Sequence, residues 1–130
     1  MGTQSGQPGR VTVVGPSERR PGPPTPGMER QEAFATQDMW SGLIRTAPGM
    51  VSGWHHHGDY DTVVYVLSGR VKIDFGAGGA DSVTGRPGDF IRVPRDTVHR
   101  EGNPSTEPAE ALVLRVGKGP STFNVEGPAS

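Results

Sequence analysis

Hydrophobic positions along this chain fall into short runs rather than helical stripes. From Trp40 onward, apolar and β-branched residues gather over 40–47, 51–57, 62–68, 70–75, 81–84, 89–93, 97–101 and 110–116, each run cut by Gly, Pro or Asp. Val71–Lys72–Ile73–Asp74–Phe75 alternates apolar and polar, the period of a strand with one buried face. Val63–Val64–Tyr65–Val66–Leu67 is the longest apolar string and has strand length. Ser68–Gly69 between two such runs predicts a tight hairpin, and Gly76–Ala77–Gly78–Gly79 and Gly85–Arg86–Pro87–Gly88 predict turns. No long segment sustains a helical stripe. Met28–Asp38 (MERQEAFATQD), rich in helix formers, is the one stretch expected to make one or two helical turns. Short strands spaced by about ten residues predict an all-β sandwich or barrel.

Composition adds an arm to that picture. The chain holds 20 Gly and 13 Pro in 130 residues, and the excess crowds the first 27 positions. Arg20–Pro21–Gly22–Pro23–Pro24–Thr25–Pro26–Gly27 cannot be helix, since proline lacks the N–H and clashes with the preceding turn. Within the arm, Val11–Thr12–Val13–Val14 is β-rich and suits a strand added to another sheet or exchanged with a second subunit. The expected organisation is a Pro/Gly-rich arm over 1–30, a barrel over 31–125 and a tail over 126–130. Thr122–Val125 is a second terminal β-run open to exchange, so a homodimer is expected.

Charge and cysteine content narrow the chemistry. Thirteen basic and 14 acidic side chains give a pI near 6.4, without the cationic footprint that nucleic acid or anionic lipid requires. Without cysteine there is no disulfide, thiolate nucleophile or cysteine-ligated metal, so any metal must be held by imidazole and oxygen. No apolar run approaches the ~18 residues of a membrane span, and no signal-like apolar stretch opens the chain. A cytoplasmic protein is the expectation, with a small-molecule partner rather than nucleic acid or membrane.

The four histidines carry the candidate chemistry. Along a strand side chains alternate faces, so in Trp54–His55–His56–His57–Gly58 the rings of His55 and His57 share a face and His56 opposes them. Two such imidazoles can converge on one ion at about 2.0–2.1 Å. A third must come from a distant segment, and His99 is the one left. By the same alternation Glu101 shares the face of His99, so three imidazoles and one carboxylate are available. A histidine triplet also occurs as a solvated surface run or a tag remnant; this one is internal and flanked by Trp54. Arg92, Arg95, Arg100 and Arg115 lie on or near the second set of strands, where most cations are solvated. One that pointed inward would hold a carboxylate or phenolate substrate as a bidentate partner.

These segments resemble the two motifs of the cupins. Gly49-x5-His55-x-His57, closed by Gly69, is similar to the first motif, and Gly88-x5-Pro94-x-Asp96-x2-His99-x3-Asn103 to the second, with Asp96 in place of the middle glycine. The slot of the family's metal-binding glutamate holds Thr62, with Asp61 one position earlier, where strand parity turns it to the other face. His57–Val63 also resembles the pirin branch, which carries threonine in this slot and places its carboxylate two residues after the second-motif histidine, at Glu101 here. The resemblance implies a double-stranded β-helix, the cupin jelly-roll barrel, around one divalent metal ion: iron, manganese, nickel, zinc or copper. His55, His57 and His99 are the implied ligands, with Glu101 preferred over Asp61 or water in the fourth place. Glu101 is then either a ligand or a catalytic base. The implied function is a metal-dependent enzyme, foremost a dioxygenase-type oxidoreductase on a small aromatic or keto/enol substrate. A non-catalytic metal-binding or sensing cupin and a Lewis-acid isomerase or lyase are the alternatives.

Overall fold

Inward-facing positions on successive strands explain how the chain closes on itself. In β3 (Met39–Thr46), β5 (Asp61–Ser68) and β10 (Ala109–Val116) buried and open positions alternate, so each strand presents one face to the interior. These data come from a computed structural model that describes residues 9–130. The other strands are β1 (Arg20–Pro21), β2 (Glu29–Ala35), β4 (His55–His56), β6 (Val71–Phe75), β7 (Asp81–Gly85), β8 (Phe90–Val93), β9 (Arg100–Gly102) and β11 (Phe123–Asn124). Six form one sheet in the order β1-β2-β3-β10-β5-β8, three form a second in the order β7-β6-β9, and β11 pairs with β4. All the pairings are antiparallel.

Trp40, Ile44, Val64, Val66, Val113 and Ala111 from the large sheet pack with Val71 and Ile73 from the small one, forming a single apolar cluster. The inward set then changes character toward one end. On β10 it runs Ala111, Val113, Arg115, and across the ladder from Arg115 sit Trp40 and Thr62. Beyond that row the interior is polar.

The expectation of helical turns over Met28–Asp38 is corrected: this segment is β2, paired with β3 through Arg30↔Ile44 and Phe34↔Ser41. Helix propensity is worth a few tenths of a kcal/mol per residue, and a ladder with a core strand outweighs it even with the register shift between Glu32 and Phe34. Thr122–Val125 supplies β11 to β4 of its own barrel rather than a free strand. Among the described residues Val11–Val14 pairs with no strand, and Val11 is fully exposed; residues 1–8 of the arm lie outside the described residues. Asp96 takes the left-handed φ of 57° at the place where the second motif carries glycine. Among the described residues no helix is long and apolar enough to cross a membrane.

Candidate metal centre

Two chain segments build the site by backbone pairing. His55 N donates to His99 O and His99 N to His55 O, both at 2.9 Å, which fixes the remote histidine opposite the pair. The rings of His55, His57 and His99 are 0–2% exposed, with centroids 4.4–5.1 Å apart. One nitrogen from each lies within 4.8 Å of the others. His56 faces the other way, stacked on Phe123 at 4.8 Å, and its Nδ1 accepts from Gly58 N.

Each inward ring is oriented by its outer nitrogen. Nδ1 of His55 donates to Gly53 O at 2.9 Å, that of His57 to Ser121 O at 2.7 Å and that of His99 to Thr97 O at 2.8 Å. A carbonyl can only accept, so the proton sits on Nδ1 and the Nε2 lone pairs are left for the centre. Burial pushes His55 down to about 4, and burial together with Arg115 pushes His57 lower still, so both rings are neutral near pH 7. Nε2 of His55 and of His99 are buried without a partner.

Glu101 closes the cluster. It is 2% exposed, its N–H donates to Ser52 Oγ, its Oε1 lies 3.7 Å from His99 Nε2, and its Oε2 has no partner. Burial works to raise its carboxyl, but the contact with His99 and the proximity of His55 and Arg30 outweigh this and hold it at about 2. Asp61 is elsewhere: it points outward and pairs with Arg92 at 3.1 Å. Orphaned imidazole nitrogens beside an orphaned buried carboxylate oxygen are the donor set that a divalent transition metal takes. The three histidines can therefore hold one divalent ion, with Glu101 in reach as a further oxygen.

Of the four arginines near the second motif, three reach outward: Arg92 to Asp61, Arg95 to Asp59, and Arg100 to Asp74 and the face of Trp54. Arg115 goes inward. It is 1% exposed, lies over Trp40 at 4.6 Å, and brings Nη2 to 3.5 Å from His57 Nε2. Sequence reasoning missed Arg30, a second buried arginine on β2, because its segment read as helix. It also missed Ser121, which contributes through a backbone carbonyl that no side-chain pattern reveals.

The neutral buried imidazoles fix the sign of an acid response. The unfolded chain takes up protons near the ordinary histidine value of 6.5, whereas folded His55 does so only near 4. Stability of the metal-free protein is therefore complete above about pH 6.5 and is lost progressively as pH falls toward 4, with Glu101 adding a loss below its ordinary 4.5. Thermal melts from pH 7.5 to 4 are expected to show a monotonic fall in Tm beginning near 6.5.

Comparison with known proteins agrees with this geometry. The Cupin domain family model matches residues 42–115. A Klebsiella pneumoniae protein with a double-stranded β-helix domain superposes with a TM-score of 0.67 at 20% identity, over 92% of this chain and 99% of its own. A predicted oxalate decarboxylase from Thermotoga maritima gives 0.66 at 18%, over 82% and 99%. Bacillus subtilis oxalate decarboxylase, a protein with Mn(II) centres, gives 0.66 at 21%, over 76% of this chain and 28% of its own. No curated protein matches the chain. With more than half of its length inside the family model, and both histidine segments brought together in one β-barrel, this chain belongs to the cupin family.

Proposed function

We propose that this cupin is a metal-dependent enzyme of dioxygenase type that acts on a small aromatic or keto/enol compound. The observation that carries the reading is the set of Nε2 lone pairs held toward one centre, each by an Nδ1–H bond to a backbone carbonyl, beside a buried carboxylate. An iron ion there would supply activation of O2 and of a coordinating enol or phenol. The chain's own part is positional and acid–base. The three carbonyl-anchored rings fix the direction of the donor atoms. Glu101, ionised at neutral pH, stands ready on Oε2 to take the hydroxyl proton of an enol or phenol as it arrives.

The test is anaerobic reconstitution with Fe(II), then oxygen consumption against phenols and diketones. Uptake that depends on substrate and vanishes in His99→Ala is the expected result; turnover with Zn(II) under nitrogen would instead indicate Lewis-acid isomerase or lyase chemistry. Glu101→Gln keeps the side-chain volume and removes the base, so kcat is expected to drop by roughly 10²–10⁴. A non-catalytic binding or sensing role draws support from the closure of the site, whose His55 and His99 rings are 0% exposed. Metal retention without turnover or organic-ligand uptake would favour that role.

A homodimer is proposed through the outer face of the large sheet. Leu43, Leu112, Tyr65 and Phe90 form one row across four adjacent strands, with Leu112 47% and Phe90 73% exposed. An apolar row of this kind meets its own copy across a two-fold axis. Sedimentation is expected to give a dimer that Leu112→Glu converts to monomer.

A further inference from the structure

Arg115 and Arg30 are buried in the same interior as the histidines, 1% and 4% exposed. Arg30 spends Nη1 on Pro23 O and Thr25 Oγ1, both at 2.7 Å, and so anchors the arm against β2. Its Nε and Nη2 have no partner, and neither do Nε and Nη1 of Arg115. The stack on Trp40 satisfies the face of the Arg115 guanidinium and none of its N–H groups. The remaining Nη2 touches His57 Nε2 at 3.5 Å, the same lone pair that faces the centre.

Glu101 lies near enough to bias both guanidiniums, yet it forms no ion pair with either. Two buried guanidiniums share this interior with one buried carboxylate, and a divalent ion would add to the positive side. Buried charge without a counter-charge is costly, and a planar fork with free donors suits a carboxylate.

We propose that Arg115, with Arg30 behind it, forms a carboxylate-binding subsite of the histidine cluster, and that the substrate is a small carboxylic acid bearing an enol or phenol hydroxyl, of the 2-oxo acid or 2-hydroxybenzoate class. This rests on the metal-enzyme reading above and gives it a substrate class. The hydroxyl end addresses Glu101 and the cation, and the carboxylate end addresses the free donors of Arg115. Trp40, which carries the Arg115 guanidinium on its ring, also lines an outer groove of about 450 Å³ together with Tyr60 and Ser121.

The experiment is calorimetry on the full chain loaded with Mn(II) under nitrogen, using salicylate and pyruvate against their uncharged methyl esters. The carboxylates are expected to bind at least about tenfold more tightly than the esters. Arg115→Met, at unchanged metal content, is expected to lose about 100-fold in carboxylate affinity. It should also melt no lower than the wild type without ligand, because it removes an unpaired buried charge, whereas a merely structural arginine would lower Tm when lost. Esters that bind as tightly as the acids, or an Arg115→Met variant that keeps wild-type affinity, would overturn the proposal. Should the variant not fold, the acid–ester comparison on the metal-free wild type, where no cation can take the carboxylate, decides. Should the wild type hold no metal, the metal-enzyme reading fails separately. Carboxylates that raise Tm of the metal-free protein more than esters do would then still support the subsite, and equal shifts would overturn it.

Discussion

Replacing His99 with alanine is expected to abolish binding of a divalent metal while the barrel stays folded. The reason lies in how the ligand set is divided. His55 and His57 come from one segment two residues apart, and alone they offer only a two-nitrogen bite. The third nitrogen depends on a segment more than forty positions away that backbone bonds clamp onto the first. Those bonds involve N–H and C=O, so alanine keeps them and deletes only the ring. Loss of a residue that merely orients a ligand costs roughly 10–100-fold in metal affinity, and loss of a ligand should exceed that. Elemental analysis is expected to fall from about one metal per chain to near none. The stabilisation conferred by saturating metal, about 2.7 kcal/mol at a hundredfold excess over Kd, should vanish with it. Asp61→Ala is the control: its carboxylate meets Arg92 outside the barrel, and metal content is expected to be unchanged. Equal loss in both variants would place the ion elsewhere.

Strand parity is why so much of this arrangement was legible. A period of two admits one assignment of faces once the strand is recognised. His55 and His57 therefore point together, His56 points away, and Thr62 rather than Asp61 looks inward, as the structure has them. The same counting puts Glu101 on the face of His99. What parity could not supply was anything decided by a partner far along the chain. Glu29–Ala35 carries helix-forming side chains, and pairing with β3 on one side and β1 on the other makes it a strand that buries Arg30. The two terminal segments meet where Thr25 Oγ1 donates to Asn124 Oδ1 and Asn124 Nδ2 to Pro24 O, contacts of nearly 100 residues' separation that leave no local signature. The orientation of His57 through Ser121 O belongs to the same class.

A large effect on the fold itself is expected at Gly69, the residue that closes the first motif. It joins β5 to β6 with φ of 66°, in the left-handed region where a side chain costs about 1–2 kcal/mol. Space is also lacking. A Cβ at this position would lie 2.7 Å from Ala109 Cα, 2.8 Å from Pro108 O and 2.9 Å from Ala109 N, all backbone atoms at the start of β10. A flexible side chain could swing away from such a contact, but here β10 is fixed between β3 and β5, and it carries Arg115 at its far end. Strain and overpacking together put Gly69→Ala at about 3 kcal/mol of destabilisation, a large part of the 5–15 kcal/mol typical of a domain. Gly78, also at positive φ but with open space around its Cβ direction, should lose only the conformational part, about 1 kcal/mol. Urea unfolding of the two variants side by side separates the terms. A Gly69→Ala midpoint no lower than that of Gly78→Ala would mean that the hairpin can draw away from β10, and that the barrel end carrying Pro108 and Ala109 is softer than its packing indicates.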